Sequence, residues 1–225
     1  MIQEKSVDSL KIFLASAKDN FCTFIDNVDF EVCKKAAELI LAAQANGGRI
    51  HVTGIGKPGH VAAYAASLLS STGNPAAFLH GTEAVHGSCG QLVAGDVVIA
   101  ISNSGETVEL KATVNAIHNN GCKVIAVTGN PDSWLSKNSE CTLLAGVSEE
   151  GGPLDRAPRN SVNAEMLILE ALSVVLQVEK DWDPEKYVKH PQPHPAPLPP
   201  PCYHRAGAHR YRNRRDPPVL PGVYQ

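Results

Sequence analysis

Five short apolar runs, each separated from the next by a stretch of different character, constrain this chain more than any other feature. They are "RIHVTG" (49–54), "PAAFLH" (75–80), "DVVIAIS" (96–102), "KVIAVTG" (123–129) and "CTLLAGV" (141–147). Rich in β-branched residues, they read as buried strands. Helical spacing fills the gaps at 58–72, 106–120 and 132–138, and a last helix at 161–178 carries Ala164, Leu167, Ile168, Ala171, Leu172 and Val175 inward. Strand–helix alternation of this kind predicts an α/β fold, a parallel sheet covered by helices. Two helices precede it: 7–22, with Val7, Leu10, Leu14 and Ala17 at helical spacing, and 29–46, stopped by Gly47-Gly48. Ligands of such sheets sit at the carboxyl ends of the strands, near a topological switch point.

The chain is not uniform. From His190 to Gln225 it has ten prolines in 36 residues, five arginines and neither lysine nor glutamate. No apolar periodicity survives there, so the expected organisation is a folded domain over 1–189 and a disordered Pro/Arg-rich tail over 190–225. A net charge of −3 gives no reason to expect nucleic acid or an acidic membrane as partner. No apolar run approaches the ~20 residues of a bilayer span, and Asp8, Lys11 and Asp19 break any signal-peptide pattern. Six cysteines without a C-x-x-C pair read as reduced thiols of a cytoplasmic protein.

Three loops at predicted strand ends carry chemistry. "HVTGIGKPGH" (51–60) matches G-x-G-x-x-G through Gly54, Gly56 and Gly59. A dinucleotide site also needs an acidic residue at the end of the second strand, and that strand ends Phe78-Leu79-His80. Lys57 instead suits an anionic or hydroxyl-rich ligand. "ISNSGET" (101–107) runs from a strand into a helix and sets Ser102, Ser104 and Thr107 beside free N–H groups, with Gly105 for a sharp turn. Hydroxyls, orphan donors and a helix dipole make a phosphate cradle without a metal; an ordinary N-cap would need only one of those hydroxyls. "VSEEGGPLDRAP" (147–158) offers Glu149 and Glu150. His80 and His86 flank Glu83 with no third ligand in regular spacing, which favours pocket lining over metal binding.

Together these segments resemble the sugar isomerase (SIS) domain family, and within it the arabinose-5-phosphate isomerase group in a form without paired CBS domains. The resemblance runs over about residues 35–191 and rests on "GIGKPGH", "SSTGNPAAFLH", "EAVHG", "DVVIAISNSGET", "EEGGPLDRAP" and "KHP". It implies a five-stranded parallel sheet in a flavodoxin-like three-layer sandwich, flanked by helices on both faces, and a homotetramer with sites between subunits. It also implies interconversion of D-ribulose 5-phosphate and D-arabinose 5-phosphate, a Kdo precursor, without a cofactor or metal. The family's functional residues fall on Lys57, Glu106, Glu150 and His190. The expected binding set is Gly56, Ser71, Thr72, His86, Ser102, Asn103, Ser104, Gly105 and Thr107. Three departures stand out. After His190-Pro191 the chain reads Gln192-Pro193-His194-Pro195 where the family continues Gly-Gly, as a reading-frame shift would produce. Pro58 replaces a small serine. "RNSVNAE" (159–165) replaces a run of threonines.

Isomerisation needs a base to move a proton between C1 and C2. Glu106, expected at a helix start, is weakened as a base by the dipole, which leaves Glu150 as the base and Glu106 as partner to hydroxyls. Lys57 would offset enediolate charge, and His190 would serve in ring opening or proton relay. The rivals are a non-catalytic sugar-phosphate-binding module and another SIS enzyme, a hexulose-phosphate isomerase or a phosphosugar lyase.

Overall fold

A computed structural model describes residues 2–182. In chain order the elements are α1 (Glu4–Asp26), α2 (Phe30–Ala45), β1 (Ile50–Gly54), α3 (Lys57–Ser71), β2 (Ala76–His80), 3-10 turns at Glu83–His86 and Ser88–Gln91, β3 (Val97–Ile101), α4 (Val108–Asn119), β4 (Lys123–Thr128), α5 (Trp134–Lys137), β5 (Cys141–Leu144) and α6 (Asn160–Glu179). The strands form one sheet in the order β2-β1-β3-β4-β5, parallel throughout. The five predicted strands and the α/β class are therefore present.

Alternation along each strand splits the core into two layers. Ile50, Val52, Ile99, Ile101, Ile125 and Val127 pack with residues of α2, α3 and α6. Val98, Ala100, Val124 and Ala126 pack with Leu110, Val114 and Ile117 of α4 and Leu135 of α5. At the amino end of the sheet, buried Asp96 accepts the N–H groups of Arg49 (2.8 Å) and Val93 (3.0 Å) and pairs with His51 Nε2 (3.0 Å), tying β1 to β3. From β1 the chain first crosses to β2 on one side and then to β3 on the other. The carboxyl ends of β1 and β3 therefore flank the switch point, and the loops 55–56 and 102–107 leave from it.

Three expectations need correction. β2 is not buried on both faces: it is the edge strand, with Ala77 and His80 exposed and Phe78 37% exposed. The Val7–Leu10–Leu14 stripe of α1 does not face the core; Leu14 is 57% exposed, and the buried residues of α1 are Ser16, Asn20 and Phe24. The polar face wins because it has partners. Asn20 Oδ1 accepts from the Ser148 N–H (2.9 Å) and hydroxyl (3.0 Å), and Asn160 Nδ2 donates to Ser16 Oγ (3.3 Å). Finally, α6 is long and apolar enough to cross a membrane by length and composition. Its Ile168, Leu169, Leu172 and Leu176 are buried in the same core as the sheet, which accounts for that apolarity.

Candidate active site

Leaving β3, the chain turns at Gly105, whose φ of +65° is costly for any residue with a Cβ. A Cβ there would also overlap the Ser133 side chain. Buried Ser102 organises the loop: its Oγ accepts the Gly105 N–H (3.1 Å) and lies 3.1 Å from Thr107 Oγ1. Ser104 is exposed, and its Oγ accepts the Glu106 N–H (3.2 Å). The Asn103 carbonyl accepts the Gly129 N–H (2.9 Å) and the Thr128 hydroxyl (3.0 Å), locking the loop to the end of β4. Thr107 is the N-cap of α4 and makes no side-chain bond to the helix amides. The start of this twelve-residue helix is thus uncapped beside three hydroxyls, the arrangement that favours an anion.

The helix begins two residues later than predicted, which changes Glu106. It does not sit in the first turn of α4; its Oε1 accepts the Trp134 N–H at the start of α5 (2.7 Å), and its Oε2 takes a charge-assisted bond from Lys111. That ammonium first, and then the Trp134 N–H, hold the carboxyl below its ordinary range. Lys111 in turn lies over the Trp134 ring.

On the other layer, exposed Lys57 opens α3. Its N-cap Gly56 has φ +68°, and Gly54 lets the strand end pass against the Pro58 backbone, where a Cβ would not fit. Half-buried Glu150 sits in the β5–α6 loop. Its backbone N–H and that of Gly151 donate to Asp155 Oδ1 (2.6 and 3.0 Å). Its Oε2 accepts the N–H groups of Arg159 and, at 3.2 Å, Ser161. Glu150 therefore caps α6, and the expectation that it lies free of a helix dipole is wrong. Both candidate carboxylates are held by backbone amides at helix starts, Glu106 on the α4–α5 side of the strand ends and Glu150 on the α3–α6 side. What separates them is Lys111: among the described residues Glu106 is ion-paired and Glu150 is not.

Other predicted residues scatter. His86 is exposed at the end of the first 3-10 turn after β2. Ser71 and Thr72 close α3, so at 1.5 Å per residue they lie about 21 Å along the helix from Lys57, at the amino end of the sheet. Their hydroxyls are turned to backbone carbonyls, both to Leu68. Within the chain they are not brought to the site, because the helix that begins at the ligand side must end away from it. His190 lies outside the described residues, as does the 190–225 tail. Among the described residues no three His, Cys, Asp or Glu side chains gather as a metal site.

Sequence reasoning missed a cleft of about 290 Å³ beyond the ends of β4 and β5, lined by Asn20, Thr23 and Phe24 of α1 with Gly129, Gly146 and Ser148. None of the predicted residues lines it. The exposed polar-apolar mixture of α1 carried no signal for it.

The SIS domain family matches residues 43–175. The chain is 38% identical over 191 residues to the arabinose 5-phosphate isomerase KdsD of Pseudomonas aeruginosa, covering 84% of this chain and 53% of that protein. It is 38% identical over 159 residues to KdsD of Francisella tularensis, covering 70% and 49%. The chain thus spans about half the length of the curated relatives it matches. Among solved structures it resembles the Escherichia coli CFT073 protein c3406 in complex with arabinose 5-phosphate, with a TM-score of 0.75 and 31% identity, over 85% of this chain and 100% of that one. On these matches, which cover the β1, β3 and β5 loops just described, the chain belongs to the SIS domain family.

Proposed function

We propose that this protein is an aldose–ketose sugar-phosphate isomerase that interconverts D-arabinose 5-phosphate and D-ribulose 5-phosphate through an enediol. The observation that carries the reading is the uncapped start of α4 beside Ser102, Ser104 and Thr107, at the switch point of a chain that matches an arabinose 5-phosphate-bound protein over that protein's whole length. The phosphate is gripped there. With the open-chain aldose in place, Glu150 takes the C2 proton and returns it to C1, while a proton moves from the C2 hydroxyl to the C1 oxygen. The carbonyl passes from C1 to C2 and no electron acceptor is needed. Lys57 orients the sugar oxygens and offsets the enediolate charge. Glu106, fixed by Lys111 and the Trp134 N–H, accepts from sugar hydroxyls, and His190 assists ring opening. Gly56, Asn103 and Gly105 shape the loops, and His86 lines the pocket. The protein works in the cytoplasm as a homotetramer; the exposed Val7, Leu10 and Leu14 stripe of α1 supports self-association.

The test is to incubate the full chain with five-, six- and seven-carbon sugar phosphates and follow products by NMR. Conversion of the five-carbon pair is expected, and Ser102→Ala combined with Thr107→Val should weaken phosphate-dependent binding by about tenfold or more. Turnover of six- or seven-carbon substrates alone would assign a different SIS enzyme, and thermal stabilisation without conversion a binding module.

A further inference from the structure

A buried carboxyl lies behind the Glu150 loop, one turn into α6. Glu165 on α6 is 1% exposed, and neither of its oxygens has a hydrogen-bond partner among the described residues. One turn earlier on the same helical face, Ser161 has a buried hydroxyl that is also without a partner, and its backbone N–H is one of the two that hold Glu150. A carboxylate buried without donors is not sustained as an anion and takes up a proton instead. Burial first, and then the charge on Glu150, push Glu165 up to about 8. The elements packed against α6 also carry Lys57 and His60 on α3, Lys34, Lys35 and Glu38 on α2, and Lys11, Lys18 and Asp19 on α1. On α6 itself Glu170 is engaged by the Tyr64 hydroxyl (2.7 Å).

We propose that Glu165 is a positioning acid: as a neutral carboxylic acid buried behind the Ser161 amide, it leaves the half-buried Glu150 to carry the negative charge that faces an anionic sugar. The inference rests on the isomerase reading above. A sugar phosphate and its enediolate are both anionic, so a second charge beside Glu150 opposes binding and proton abstraction alike. Loss of the Glu165 proton should therefore shut activity down on the alkaline side, with an apparent pKa that belongs to the pair.

The experiment is the pH profile of kcat/KM for the wild-type chain and Glu165→Gln, whose amide is a neutral isostere. The wild type should lose about tenfold between pH 7 and pH 9, since a group titrating near 8 is about nine-tenths ionised there. The variant should match it within about twofold at pH 6.5 and lack that alkaline limb. A limb shared by both proteins, or missing from the wild type, overturns the assignment while leaving the isomerase reading intact. No turnover by the wild type at pH 6.5 overturns both. Infrared titration of the unliganded wild type covers the case of a poorly folding variant: a carboxylic-acid carbonyl band present at pH 7 and fading near pH 8 is required, and its absence refutes the proposal.

Discussion

Replacing Glu165 by glutamine also has a consequence for stability that needs no substrate. In the unfolded chain the carboxyl titrates near its ordinary 4.5; in the folded chain burial and Glu150 raise it to about 8. A raised folded value means that the native state binds the extra proton, so the contribution is fully present below pH 4.5 and is lost as pH rises through 8. At 1.36 kcal/mol per tenfold in proton affinity, the whole loss is on the order of 5 kcal/mol, comparable to the net stability of a typical domain. With a urea slope of about 2 kcal/mol per molar, that is a midpoint shift of roughly 2 M. Urea unfolding of wild type and Glu165→Gln at pH 5 and pH 8.5 measures it. The two midpoints should lie close together at pH 5, and at pH 8.5 the variant should be the more stable by most of that amount. A difference between the two proteins that is the same at both pH values would show that Glu165 has the same proton affinity folded and unfolded, against this prediction.

Gly105→Ala should destabilise the chain by about 2–4 kcal/mol, the sum of a left-handed backbone penalty and overlap with Ser133, read by the same unfolding assay. Glu150→Gln should lower turnover by about 10²–10⁴-fold while costing less than about 1 kcal/mol of stability, since the amide oxygen can still accept from the α6 amides; near-normal turnover would move the base role to Glu106. Lys111→Met should move the Glu106 titration, followed by carboxyl-carbon NMR, upward toward the ordinary range, because the ammonium is the largest cause of its depression. Asp96→Ala should cost about 3–5 kcal/mol, leaving the Arg49 and Val93 N–H groups and His51 without their common acceptor.

The middle of the parallel sheet was legible because β1, β3 and β4 are almost wholly buried, and burial writes itself into sequence as β-branched runs such as Val97–Ile101. β2 shows where that signal fails: Ala76–His80 is apolar but has no β-branched residue, and strand order, which is set by long-range pairing, puts it at the edge. The α1 face was misread for a related reason. Helical spacing locates a stripe but not what covers it, and here Ser16 and Asn20 found partners in the β5–α6 loop and at the start of α6. The turn at Ser102–Thr107 was legible because its signal is local, hydroxyls and a glycine between a strand and a helix. The capping of α6 by Glu150 was not, since it depends on the loop folding back over nine residues to the Arg159 N–H. Ser71 and Thr72 were placed at the site by a motif, yet the length of α3 carries them to the other end of the sheet. Glu165 sat in plain view within an apolar helix, and only its burial without donors gives it meaning.

The proposed reaction moves a proton between C1 and C2 of a five-carbon sugar phosphate. Incubating the full chain with D-arabinose 5-phosphate in D₂O and following the C2 proton by NMR tests it most directly. The C2 proton signal is expected to disappear as ribulose 5-phosphate forms, and neither change is expected with Glu150→Gln. An intact C2 proton with no ketose formed, at concentrations where the sugar phosphate is bound, would contradict the proposed reaction.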